Sequence, residues 1–172
     1  MLQLIRVFWD IALWRRGPRD VPASRALFAA VALAYAGVSA LQSRLMYGPP
    51  LMLPRALADL ALTIAVFWAT LCIARRSQRF LQSVIAVLGT GTLLSMPMVA
   101  LQLIAAQAGA PGPVATFLSI ASVPLLVWYL FVVGQIVRLA LEAPLLTGMA
   151  VAMTYFVLSY LALEQFPNAA RG

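Results

Sequence analysis

The sequence predicts an all-α integral membrane bundle of five transmembrane helices, preceded by an N-terminal interfacial amphipathic helix, as a single membrane domain over residues 1–172. Three observations predict it. First, 63% of the residues are hydrophobic and only 10% are charged, where a soluble domain carries about 45–50% apolar and about 25% charged residues. Second, five apolar segments (about 26–43, 56–74, 80–106, 114–137 and 143–163) have the length of a span, which needs about 20 residues. Third, these runs are continuous rather than alternating. A transmembrane barrel is therefore excluded, and a helix is the remaining way to pair every backbone polar group in lipid.

The elements follow in order. On a helix over 1–16, Gln3, Arg6 and Asp10 fall at i, i+3 and i+7, one polar stripe on a surface rich in Phe8, Trp9 and Trp14. This pattern suits a helix lying in the membrane interface. It does not suit a signal peptide, because the main arginine cluster follows the apolar stretch and no small-residue cleavage site is evident. In the stretch 13–24, LWRRGPRDVPAS, Gly17, Pro18 and Pro22 break the chain, and Ser24 is the expected N-cap of the first span. Ala32, Ala36 and Ala40 repeat every fourth residue in that span beside Gly37, and Gly91–Ser95 and Gly148–Ala152 make similar small-residue pairs. Such faces allow close helix approach, within one chain or between copies. The connector 44–55 holds three prolines and a glycine, 75–79 is a tight basic turn, 106–115 is small and uncharged, and 138–144 carries Glu142. Pro97 and Pro124 lie inside the third and fourth spans and are expected to kink them. No internal repeat is visible, and five spans cannot form two equal inverted halves, which counts against the commonest transporter architecture.

All 12 basic residues are arginine. Arg6, Arg15, Arg16, Arg19 and Arg25, then Arg75, Arg76 and Arg79, then Arg138 fall on one side of a five-span topology. Only Arg44, Arg55 and Arg171 fall on the other. Arginine-rich loops stay cytoplasmic, so the expectation is a multi-pass protein of a bacterial inner membrane with its N-terminus inside and its C-terminus outside. The arginines sit between apolar runs and are not interleaved with stacking aromatics on a polar face. Nucleic acid is therefore not an expected partner; membrane lipids, a membrane-protein partner or a second copy are.

Ionisable residues at membrane depth are costly and are functional candidates by default. Asp59 has Arg55 four residues before it, an i,i+4 ion pair in prospect. It reads either as a satisfied interfacial carboxylate or as an ion or proton site. Thr90, Thr92 and Ser95 in LGTGTLLSMP, extended by Gln102, read either as kinked close packing or as a discontinuous helix lining a small cavity. Gln135, Arg138 and Glu142 share one helix face at the cytoplasmic junction, as a boundary ion pair or as a contact for a partner or lipid headgroup. Arg75, Arg76 and Arg79 are a candidate cytoplasmic contact. Cys72 is the one cysteine, and histidine is absent. Intramolecular disulfides are impossible and most metal and haem sites lose their usual ligands. No nucleophile–histidine pair, membrane-depth carboxylate dyad or phosphate loop can be assembled, so neither an enzyme nor a cofactor is expected.

The stretches ADLALTIAVFWATLCIARRSQRFLQSVIAVLG (58–89) and VWYLFVVGQIVRLALEAPLLTGMAVAMTYFVLSYLAL (127–163) resemble the Yip family of small polytopic membrane proteins. The first is similar to that family's apolar helix, short basic turn and glycine-bearing helix; the second is similar to its closing helix pair. The resemblance implies membrane organisation or partner binding, with no catalysis. The expected function is thus a non-enzymatic inner-membrane scaffold or interaction protein. The alternative is a small transporter or channel component with a path along helices three and four. A polar cavity reaching Asp59, Thr90 and Thr92 separates the two.

Overall fold

The structure, a computed structural model, describes residues 2–107 and 112–165. Among these residues six α-helices succeed one another: α1 Leu2–Ala12, α2 Arg25–Tyr47, α3 Met52–Ile73, α4 Phe80–Gln107, α5 Pro113–Leu141 and α6 Leu145–Glu164. Short 3-10 turns at Pro18–Asp20, Pro49–Leu51 and Ser77–Arg79 join them. The fold class is the one the sequence predicts. Among the described residues five helices are long and apolar enough to cross a membrane, and a short helix precedes them. The four residues 108–111 of the uncharged connector, and Arg171, lie outside the described residues.

The helix ends are built from local chemistry. Ser24 caps α2 in extended backbone, its Oγ accepting from the Leu27 N–H at 3.3 Å. At the other extreme of the alternation, α1, α3 and α5 each stop on a left-handed residue: Trp14 (φ 63°), Arg75 (φ 56°) and Glu142 (φ 56°). The Arg15 and Arg76 N–H groups return to the carbonyls of Asp10 and Leu71 at 2.8 and 2.7 Å, and the Ala143 N–H to that of Arg138 at 3.1 Å. These bonds satisfy carbonyls that a helix end otherwise leaves open.

Of the two readings of the third span, the structure sets one aside. The LGTGTLLSMP stretch is not a helix break: α4 is continuous from Phe80 to Gln107 and runs through Pro97, as α5 runs through Pro124. Thr90 and Thr92 donate to the carbonyls of Ala86 and Leu88 on their own helix, both at 2.7 Å. The hydroxyls are thereby satisfied without unwinding the chain. Several small residues make close contacts within the bundle, while Gly37 is exposed with nothing near its Cβ position. A Cβ on Gly148 would stand 2.2 Å from the Gly134 carbonyl oxygen, so α5 and α6 meet backbone to backbone there. Ala32, Ala40 and Ala152 are buried.

The bundle wraps α4, which packs against α1, α2, α3 and α5, while α6 packs on α5 and α3. Its two halves differ. In the half near the arginine-bearing turns, Val84–Leu88 of α4 and Val132, Val133, Ile136 and Val137 of α5 are sealed from solvent. Phe8, Ile11 and Val21 complete that core from the N-terminal segment. The α1 helix is docked there, with the Trp128 Nε1 donating to the Ala12 carbonyl at 3.0 Å. Its Phe8 ring covers Gly89, where a Cβ would come within 2.5 Å. The other half holds the cavity described next.

Candidate functional site

Every candidate span contributes to one cavity of about 280 Å³: Tyr35 and Gln42 from α2, Asp59 from α3, Ser95 and Met98 from α4, Tyr129 from α5, Tyr155 and Ser159 from α6. Asp59, Ser95 and Ser159 lie about 21–23 Å along their helices from the arginine-bearing ends, at 1.5 Å per residue. Asp59 sits two turns inside α3 rather than at its mouth.

Asp59 is the charged member of this lining. Its Oδ2 accepts from the Tyr35 hydroxyl at 2.8 Å and from the Ser39 hydroxyl at 3.1 Å. Its Oδ1 accepts no hydrogen bond among the described residues. The expected Arg55–Asp59 ion pair does not form. Arg55 instead donates to the Leu163 carbonyl at 2.7 Å and lies over the Tyr47 ring, 3.7 Å from its centroid. A guanidinium gains planar stacking and a carbonyl acceptor in that arrangement, which its one-turn neighbour on the same helix face cannot supply together. Asp59 is left with two neutral donors.

The surroundings hold that carboxylate in place. Thr63 donates its hydroxyl proton to the Asp59 carbonyl at 2.8 Å and so accepts from the Tyr155 hydroxyl at 2.9 Å. Phe67 meets Tyr155 edge to face, with ring centroids 6.2 Å apart. Gly91 gives the tyrosines room: a Cβ there would stand 3.1 Å from the Tyr35 ring and 3.5 Å from that of Tyr129. Ser159 is 9% exposed, and its hydroxyl has no hydrogen-bond partner among the described residues. It is a second polar group in the lining with capacity to spare.

Of the residues singled out by sequence, Asp59 and Ser95 line the cavity. Thr90 and Thr92 bond their own backbone and stay outside the lining, and the Gln102 amide reaches Met46 Sδ at 3.4 Å. The sequence reading passed over Tyr35, Ser39, Gln42, Tyr155 and Ser159. Their signal was spacing: Tyr35–Ser39–Gln42 and Tyr155–Ser159 fall on single faces of otherwise apolar helices.

At the opposite end, Glu142 gathers three arginines. Arg76 Nη1 lies 2.8 Å from its Oε2 and Arg79 Nη2 2.6 Å from its Oε1, and Arg19 also pairs with Oε1. Arg79 donates in addition to the Ala140 carbonyl at 3.1 Å. The expected Arg138–Glu142 pair is therefore not formed; Arg138 donates to Gln135 Oε1 at 3.2 Å instead. The left-handed cap at Glu142 ends the helix register that would have set the two side chains one turn apart. Arg75 is exposed and makes no ion pair among the described residues. The hydrogen bond from Arg79, helped by the charges of Arg76 and Arg19, lowers the Glu142 pKa to about 2.

These features define a class: a multi-pass helical membrane protein with an internal carboxylate cavity. No family model, curated protein or solved structure matches the chain.

Proposed function

We propose that the protein is a non-enzymatic, membrane-embedded binding protein for a small organic cation, acting as a carrier component of a bacterial inner membrane. This is the transport alternative rather than the scaffold. The observation that carries it is Asp59: a carboxylate two turns inside a spanning helix, in no ion pair among the described residues, on a cavity to which every candidate span contributes. A carboxylate in that setting is costly unless a cation meets it. Three tyrosines line the same space, and tyrosine rings attract ammonium groups. The volume lies just below the usual range of small-molecule sites, about 300–1,000 Å³, which favours a ligand of a few heavy atoms. The sealed half supports a carrier closed on one side in preference to an open channel. With the N-terminus inside, the cavity belongs to the outer half of the bilayer. The Yip resemblance of 58–89 and 127–163 bears on ancestry and assigns no residue to this cavity.

The test uses tetramethylammonium as probe. Protein purified in detergent is melted with tetramethylammonium chloride or with sodium chloride at equal ionic strength. A ligand present at about 100 times its Kd stabilises the folded state by about 2.7 kcal/mol. The wild type should melt at a higher temperature with the probe, and Asp59→Asn, which keeps an acceptor for Tyr35 and Ser39, should not respond. Equal response of both proteins would remove the assignment.

A further inference from the structure

A second concavity lies at the arginine-bearing end, remote from the carboxylate cavity. It is an open bowl of about 640 Å³ between the 14–20 segment and the end of α5. Its carboxylates are engaged already. Glu142 is held by Arg19, Arg76 and Arg79, and Asp20 accepts from the Gly17 N–H at 2.9 Å. Arg16 is paired with Asp10 at 3.2 Å. Two arginines of the bowl have no carboxylate among the described residues: Arg138, which has the Gln135 amide alone, and Arg15, whose guanidinium makes no hydrogen bond or ion pair there.

At Trp14 the bowl adjoins an apolar cleft of about 410 Å³ walled by Leu13, Trp14, Trp128 and Phe131. Trp14 is 46% exposed and packs on Phe131 with ring centroids 6.0 Å apart. From Arg138 back to Trp128, α5 runs about 15 Å toward the middle of its span. A positive bowl at the span's end therefore continues into an apolar cleft at acyl-chain depth. A soluble anion has no use for the cleft. A zwitterionic lipid carries its own ammonium beside the phosphate, so uncompensated arginines gain less from it.

We propose that bowl and cleft bind one anionic phospholipid of the phosphatidylglycerol type, with its phosphodiester on Arg15 and Arg138 and an acyl chain against Trp14, Phe131 and Trp128. Native mass spectrometry of the full chain in detergent, with equal phosphatidylglycerol and phosphatidylcholine, reads this directly. One phosphatidylglycerol per chain should be retained in preference. Arg15→Gln should weaken that preference about fivefold, and Arg15→Gln with Arg138→Gln about twentyfold, since a membrane-surface arginine is worth about fivefold in anionic lipid binding. Arg44→Gln, an exposed arginine at the other end, should leave it unchanged. Arg15→Gln alone removes no side-chain hydrogen bond or ion pair among the described residues, so its loss of lipid is not a loss of fold. Three outcomes overturn the site: wild-type retention by Arg15→Gln, an equal loss in Arg44→Gln, or displacement of the lipid by excess glycerol phosphate, which would mark a site for soluble anions.

Discussion

Glu142 sets one negative charge among three guanidinium groups brought from two separate segments, the 13–24 linker and the 75–79 turn. Its folded pKa of about 2 lies below the ordinary value of 4.5. A depressed carboxylate stabilises the fold in full above the unfolded pKa and loses that contribution as pH falls through the folded one. The contribution of Glu142 is thus complete above about pH 4.5 and fades between there and about pH 2. Melting the wild type beside Glu142→Gln should show a gap that is constant at neutral pH and closes over that window; a gap that persists to pH 2 would contradict the clamp. At this scale the sequence was legible for residue type and misleading for partner. Neither i,i+4 pair expected from spacing, Arg55–Asp59 or Arg138–Glu142, forms: Arg55, Asp59 and Glu142 take long-range partners, and Arg138 turns to Gln135 on its own helix. Spacing along a helix reveals which local contacts are possible, while tertiary packing decides which are made.

Among the elements, the α5–α6 pair is the closest contact, and Gly148 is what permits it. Gly148→Ala places a methyl group against the Gly134 carbonyl and the Arg138 backbone. Overpacking of this kind costs about 1–3 kcal/mol. Gly37 on α2 has nothing within 4 Å of its Cβ position, so Gly37→Ala should be neutral or stabilise by up to about 1 kcal/mol. Denaturation of the two variants in one detergent checks the contrast, which a similar loss in both would refute. The helices themselves were plain in the sequence, because a span is a long apolar run and Ser24, Pro54 and Pro144 lie at or near the entries. The role of Gly91 was legible in part. Its pairing with Ser95 marked a site of close approach, and the structure shows that the glycine admits the Tyr35 and Tyr129 rings. Which rings enter depends on two other helices and leaves no local pattern.

Across the whole molecule, the arrangement is one of unequal halves. The core toward the arginine-bearing end is packed, and its rim carries the open bowl and the Glu142 clamp; the other end holds Asp59 with unspent polar capacity. The arginine tally over alternate loops pointed to one basic end, and the Arg19, Arg76 and Arg79 contacts with Glu142 do join the linker, the 75–79 turn and the end of α5. That this end faces the cytoplasm is part of the proposal. Reporter fusions should place the N-terminus inside and the C-terminus outside, and Arg75→Gln, Arg76→Gln and Arg79→Gln combined should weaken that orientation. An N-terminal reporter found outside would reverse the side from which the cavity is reached. The central claim concerns that cavity, and its most direct test is the binding of tetramethylammonium to purified protein followed by thermal melting. The account predicts a concentration-dependent rise in melting temperature for the wild type and none for Asp59→Asn. A wild type that ignores the probe, or an Asp59→Asn protein that responds equally, would contradict it.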